Sequence, residues 1–369
     1  MNRAPSKSLI RNRASSKSLI RGLRPFITTG LALVIGACGS EPAPETTHAG
    51  VAPSSLSADS ATATIVAEDM ARRIGFLAQD RLRGRATPSQ GLDEAAEFIA
   101  SEFRRLGLRP GGDDGTYLQW YALGGVSRAP NVVGILPGSD PRLRETYVVF
   151  SAHMDHVGVG LPDASGDSIY NGADDDASGT AAVIEIAEAF TALPRPPLRS
   201  VVFLTVSGEE TGLFGSDAFV RSGPVPVDAM VADLNIDMIS RNEPDQVVII
   251  GLRYSDLGDR VTGIAQSHPE LGLSVIDDPW PDERFFFRSD HYNFARAGVP
   301  ALFFFAGVHD DYHRPSDEAE RIDAAKAARI ARLAFRTGLG VAESRVAPAW
   351  TRAGLIEVHP EKRMTPETR

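Results

Sequence analysis

Two short runs constrain this chain more than anything else in it: TYVVFSA at 146–152 and SVVFLTV at 200–206. β-Branched and aromatic residues dominate both, and neither carries a charge. A strand with one wet face alternates apolar and polar residues, whereas an unbroken apolar run of this length suits a strand covered on both faces. Between the two runs, at 179–193, Val183, Ile186, Ala187 and Phe190 share one helical face. Strand, helix, strand in that order predicts an α/β layout with helices over the sheet. Further strand candidates lie at 131–136, 229–236, 246–250 and 299–305. Helical spacing recurs in Leu92, Ala95, Ala96, Ile99, Phe103 and Leu106, and again over 317–339. The expected fold class is therefore α/β: a mixed, mostly parallel central sheet with helices on both faces.

The length of 369 residues admits one large or two ordinary domains. Only about 20 residues separate the first helix from the 131 strand, too few for a second domain. A single domain is expected over 61–345, with a C-terminal extension over 346–369.

The first 24 residues contain seven basic side chains (Arg3, Lys7, Arg11, Arg13, Lys17, Arg21, Arg24) and no acid. An apolar run at 26–35 follows, then Gly36, Ala37 and Cys38. That order reads as a signal peptide over 1–37, too short in its apolar part to span a bilayer. Ile35-Gly36-Ala37-Cys38 is similar to a bacterial lipobox, and Cys38 is the only cysteine in the chain. The expectation is export, with a lipid anchor to the membrane on Cys38. Residues 38–60, rich in Pro, Ala, Ser and Thr, read as a flexible tether. The decapeptide NRAPSKSLIR at 2–11 recurs as NRASSKSLIR at 12–21, a local duplication without bearing on the fold. A lone cysteine allows neither an internal disulfide nor a thiolate metal site. The formal net charge of −10 offers no basic footprint for nucleic acid.

Five polar clusters mark the strand ends and the helix start. They are His153-Met154-Asp155; the 171–179 loop NGADDDASG; Ser207-Gly208-Glu209-Glu210; Asp237; and Asp311-Tyr312-His313. Each alone has a plain structural reading: a solvated corner, a satisfied polar residue, or an acidic helix cap. Together they bring imidazoles and carboxylates to one edge of one sheet, where ligand sites form in such folds. Acids so gathered repel unless a cation joins them. Donors of this kind, without thiolate, suit zinc, manganese or cobalt.

The ordered segments NVVGILPG (131–138), SAHMDHVG (151–158), NGADDDASG (171–179), SGEETGLFGS (207–216), LNIDM (234–238), SDHYNF (289–294) and DYHRPSD (311–317) carry a closer resemblance. In this set the chain resembles the co-catalytic dizinc aminopeptidases, including bacterial leucine-type aminopeptidases and aminopeptidase Y. The resemblance implies two Zn2+ ions per chain. His153 and Asp237 would hold one, Glu210 and His313 the other, and Asp175 would bridge them. It makes Glu209 the general base and Asp155 the partner that orients His153, with Asp290 doing the same for His313. It also implies a cis bond between Asp175 and Asp176. Asp174 and Asp176 themselves read as residues that shape or cap the loop.

The substrates so implied are peptides with a free N-terminus. Carboxypeptidase-like and glutaminyl-cyclase-like enzymes share several of these motifs. The first needs a cation for a terminal carboxylate, for which Arg288 is a candidate; the second retains one zinc, against which the intact His153 argues. A non-catalytic receptor-like module would lack ligands or the base, and none is missing here. Leu213, Phe214, Phe285, Phe286, Phe287 and Tyr312 are candidates for an apolar pocket or for core. Oligomeric state has no sequence signal.

Overall fold

The structure is a computed structural model and describes residues 54–359 apart from Val126. Its strands are β1 (Arg109–Pro110), β2 (Leu118–Leu123), β3 (Ser127–Leu136), β4 (Tyr147–His153), β5 (Gly158–Val159), β6 (Ile169–Tyr170), β7 (Ser200–Val206), β8 (Met230–Ile236), β9 (Gln246–Ile250), β10 (Ser274–Asp277) and β11 (Ala301–Phe305). All but β5 and β6 join one sheet in the order β1-β3-β7-β4-β8-β11-β9-β10, with β2 also on β3. The four central strands, β7, β4, β8 and β11, run parallel. β3 enters antiparallel on one side and β9 on the other. The expected mixed sheet with a parallel centre is thus present.

The helices are α1 (Ser54–Thr62), α2 (Ala67–Leu77), α3 (Gln90–Arg105), α4 (Ala177–Thr191), α5 (Phe214–Ser222), α6 (Leu257–Ser267), α7 (His291–Arg296), α8 (Ala324–Ala342) and α9 (Arg352–Val358). Every residue of β4 and β7 is buried, and successive side chains feed opposite cores. Val148, Phe150 and Ala152 join Ile99, Ile186, Phe190 and Phe335 from α3, α4 and α8. Tyr147 and Val149 join Phe219 of α5 and Phe294 of α7. The period-2 pleat explains that split, and the two-sided cover explains why neither run needed polar residues. Phe150 stacks on Phe203 at 6.0 Å, and Phe190 meets Phe335 edge-on at 4.9 Å. Burying each such ring is worth about 1.5–3 kcal/mol.

Caps fix the helix starts. Ser89 accepts from Leu92 N, Asp176 from Gly179 N, Asp323 from Lys326 N, and Thr351 from Gly354 N. Three sequence expectations shift here. The helix read over 317–339 begins at Ala324, because the Asp317 carboxylate is already taken by the backbone N–H groups of Asp174 and Asp175. The stretch read as tether to residue 60 already contains helix from Ser54, and Asp59 pairs with Arg336 of α8 at 2.6 Å. The stretch read as a C-terminal extension packs on the domain: Trp350 Nε1 donates to Gly298 O, and Val358 enters a core cluster. The signal peptide, Cys38 and the earlier part of the tether lie outside the described residues. No helix among the described residues is long and apolar enough to cross a membrane.

Candidate metal centre

The carboxyl ends of the parallel strands deliver the side chains. His153 is the last residue of β4, and its N–H donates to the Asp176 carboxylate while its carbonyl accepts from Thr180. Asp237 follows β8 directly, and its N–H bonds Phe304 O of β11. After β7 the chain breaks at Gly208, with φ +74. A Cβ there would meet Tyr121 Oη at 2.7 Å, so only glycine fits the turn. The break ends the pleat, so Glu209 and Glu210 both reach one side. Asp175 precedes α4 and is joined to Asp176 by a cis peptide bond, as the resemblance implied. His313 lies in a loop at φ 54, in the left-handed region that a side chain enters only where its surroundings hold it.

Asp176 accepts from Gly179 N, Met238 N and His153 N, so one carboxylate ties three arms of the site. Asp174 accepts from Ser240 N, Ser240 Oγ and Ser178 Oγ. Both shape the loop, as read from the sequence. Beneath it, the buried Arg85 guanidinium donates to the carbonyls of Leu77, Met154, Asn171 and Gly172.

The ligand geometry is specific. His153 Nε2 stands 3.3 Å from Asp175 Oδ1 and 3.5 Å from Asp237 Oδ1. On the other side, His313 Nε2 stands 3.1 Å from Asp175 Oδ2 and 3.1 Å from Glu210 Oε2. Four donors at zinc bond lengths of about 2.0–2.2 Å are ~3.3–3.5 Å apart along the tetrahedron edge. The observed spacings fall close to that, and the Asp175 oxygens divide between the two groups. Asp175 Oδ2 and Glu210 Oε1 are buried without a hydrogen-bond partner. Uncompensated acceptors are rare in folded proteins and here converge on one point. The residues present fit a pair of zinc ions.

The field agrees. Burial disfavours charge on His313, yet Asp175 and Glu210 lift its pKa to about 10. Burial would raise Asp175, but His156, His153 and His313 hold it well below the usual range. The cluster therefore draws positive charge strongly, and divalent cations satisfy the same demand.

Glu209 lies beside both groups and lines the cleft with His153, Asp175 and Asp237. Burial pushes its carboxyl well up, against His153, and the acids Asp290, Asp237 and Glu210 add to the rise. Among the described residues, no side chain hydrogen-bonds the Glu209 carboxylate; its backbone is held, the N–H by Asp155 Oδ1 at 3.3 Å and the carbonyl by the N–H groups of Gly212 and Leu213.

Two roles differ from expectation in detail. The Asp155 carboxylate lies 3.7 Å from His153 Nδ1, while its backbone carbonyl is closer, at 3.2 Å. The carboxylate itself accepts from Thr87 Oγ1 at 2.9 Å, so Asp155 positions both His153 and the Glu209 turn. Asp290 does not orient His313: its carboxylate accepts from Ser216 Oγ at 2.5 Å, on the Glu209 side. One site residue escaped the sequence reading. His156, fully buried, places Nδ1 2.8 Å from Glu210 Oε1 and joins Asp175, Glu210 and His313 in one potential ligand group. Its signal was the second histidine of the HMDH turn. Of the aromatic candidates, Phe285 and Tyr312 line the cleft with Phe303, Phe305 and Met238; Phe286 is core, and Phe214 is exposed.

Fold and site together define a class: a mixed α/β protein with paired His–carboxylate groups at the carboxyl ends of its parallel strands. Peptidase family M28 matches residues 131–337, more than half of the chain. The chain belongs to that family. A probable zinc metalloprotease of Pyricularia oryzae is 35% identical over 188 residues, covering 47% of this chain and 35% of the relative. Leupeptin-inactivating enzyme 1 of Streptomyces exfoliatus is 27% identical over 243 residues, covering 66% and 48%. The chain thus spans about a third to a half of these curated relatives. Among solved structures, the LapA aminopeptidase of Legionella pneumophila superposes with a TM-score of 0.63 at 20% identity, over 83% of this chain and 78% of that one. An aminopeptidase from Aneurinibacillus sp. strain AM-1 does so at 0.59 and 16%, over 76% and 95%. These likenesses show the zinc-exopeptidase fold.

Proposed function

We propose that the chain is a zinc-dependent aminopeptidase that holds two ions and removes N-terminal residues from peptides. One observation carries the reading: the two oxygens of Asp175 face separate His–carboxylate groups, with the unengaged Glu209 beside them. His153 and Asp237 would hold one ion, and Glu210 and His313 the other. Bound there, zinc polarises a carbonyl and lowers the pKa of water.

The chain's own residues do the rest. Glu209 takes the proton of the attacking water and returns it to the leaving amine. Asp155 and Thr87 fix the turn that aims it. The acids around the cleft favour a cationic α-amine. Met238, Phe285, Phe303, Phe305 and Tyr312 offer apolar contact to the substrate's first side chain.

Arg288 also lines the cleft, which is what a carboxypeptidase requires for a terminal carboxylate. It is already engaged, however, with Glu283 at 3.2 Å and with the Phe285 ring at 4.8 Å. Aminoacyl, N-blocked and C-terminally free substrates separate the readings. Hydrolysis of aminoacyl amides, lost on N-acylation, is the expected result. Release of C-terminal residues from N-blocked peptides would overturn it.

Export with lipid on Cys38 completes the proposal, supported by the basic, apolar and small-residue order of the first 38 residues. A single acyl chain anchors only marginally, so stable attachment requires more than one. Detergent partitioning of the native protein against Cys38→Ser tests this. A soluble product with unmodified Cys38 would make it an ordinary secreted enzyme.

A further inference from the structure

We infer that His156 is itself a metal ligand, making the two ion sites unequal: one closed by four protein donors, the other open with three. The inference rests on the two-ion reading above.

The chain leaves β4 at His153 and turns back at once, with His156 N donating to Arg85 O and Gly158 at φ +92. The turn swings His156 beneath the Asp loop. Its ring packs against Gly172, where a Cβ would meet the imidazole at 2.5 Å. His156 Nδ1 is then 2.8 Å from Glu210 Oε1 and 3.6 Å from Asp175 Oδ2, and the ring meets His313 edge-on at 5.5 Å.

An orienting histidine would point an N–H along the bond to one carboxylate. His156 does not: both ring nitrogens and Glu210 Oε1 are buried without a partner in hydrogen-bond geometry, despite the short approach. What the four donor atoms share is a centre. One ligand atom from each of His156, Asp175, Glu210 and His313 lies within 4.8 Å of the others, and the contacts His156 Nδ1 and His313 Nε2 make with the two carboxylates run from 2.8 to 3.6 Å. Those are near the edges of a zinc tetrahedron. The other group has His153, Asp175 and Asp237 only.

Four protein ligands make a closed site of the kind that retains its ion, and three leave a position for water or substrate. The Glu210 site therefore fills first and holds its zinc more tightly. The exchangeable ion is the one at His153 and Asp237, beside the cleft.

The test is zinc binding to the metal-stripped protein, followed by chelator competition and X-ray absorption. With one equivalent of zinc, the native protein is expected to show two imidazoles on the ion, from His156 and His313. One imidazole per ion would overturn the inference. His156→Ala should weaken the tighter dissociation constant at least ten- to a hundredfold. His153→Ala should spare it and affect the weaker one. Equal weakening by both, or no effect of His156→Ala on either constant, would also overturn the inference. Circular dichroism of the stripped variants checks folding; should His156→Ala not fold, the imidazole count of the native protein decides. Native protein that binds no zinc sinks the two-ion reading along with this one. Native protein that binds two ions and hydrolyses peptides, with His156→Ala indistinguishable from it in zinc binding, sinks this one alone.

Discussion

Two buried acidic clusters in this molecule solve the same electrostatic problem in opposite ways. Between α2, α3 and α4, the fully buried Arg73 is enclosed by Glu102, Glu185 and Glu188, and Arg105 closes the edge. At the strand ends, Asp175, Glu210 and Asp237 pair with imidazoles, and no arginine among the described residues forms an ion pair with them or with Glu209. In the first cluster burial would raise Glu102, yet hydrogen bonds from Arg105 and Arg73 bring it below its ordinary range. In the second, burial and neighbouring acids push Glu209 well above. The same side chain is driven in opposite directions by whether the fold supplies the cation. Where it does, the cluster is a fixed strut. Where it does not, the positive charge must come from solution, and the site becomes chemically exchangeable.

The comparison breaks first at Glu209. Glu209→Gln should leave zinc content and melting temperature near native while turnover falls about 10²–10⁴-fold, because an amide cannot accept the proton. Near-normal turnover with bound zinc would remove Glu209 from the base role. Arg73→Met should do the reverse. Stranding three acids around an apolar chain is expected to cost about 3–5 kcal/mol in urea unfolding, with specific activity of the folded fraction retained. A loss of activity without a loss of stability would merge the two clusters. Adding Glu185→Leu to that variant should recover part of the stability, since the pair is then removed as a unit.

Stripping zinc should act on one cluster only. Free zinc at a hundred times its dissociation constant stabilises by about 2.7 kcal/mol. The thermal shift on chelation should therefore be equal in native and Arg73→Met proteins, as expected for distant sites.

A buried titratable group with no ion-pair partner among the described residues gives an effect confined to acid pH. His291 packs against Phe286 at 4.9 Å and Phe303 at 5.1 Å, and burial pushes its pKa down to about 3. Unfolded, it takes a proton near 6.5. The stability held by the neutral ring is complete above pH 6.5 and is lost as pH falls from there toward 3. The slope is up to about 1.4 kcal/mol per pH unit. His291→Phe should flatten that slope by one proton, measured by urea unfolding across the acid range.

Much of this was legible in the sequence, for reasons that differ by element. β7 and β9 appear at the boundaries read from the chain, because strands covered on both faces leave unbroken apolar runs. β2 was missed: it is a partly exposed outer strand whose burial alternates, and LQWYAL reads weakly by itself. The proposed ligands were legible through the family resemblance, and the structure gathers all five into two groups that could hold a metal. His156 was not, because its role depends on a turn that carries it under Gly172, across a contact that no spacing encodes. Asp290 was misplaced. The family resemblance pointed it to His313, but the carboxylate faces Ser216 of α5.

The Arg85 guanidinium sets the smallest working piece of this protein. It comes from a segment well ahead of the family match at 131–337, yet it holds the carbonyls of Met154, Asn171 and Gly172 within that match. A polypeptide begun at residue 131 would carry every proposed ligand and still leave the floor of the ligand loops without its donor. Shuffling or transplanting this catalytic unit therefore requires moving the α1–α3 segment with it, since Asp59 pairs with Arg336 of α8 and the Ile65 carbonyl accepts from Arg332 of α8.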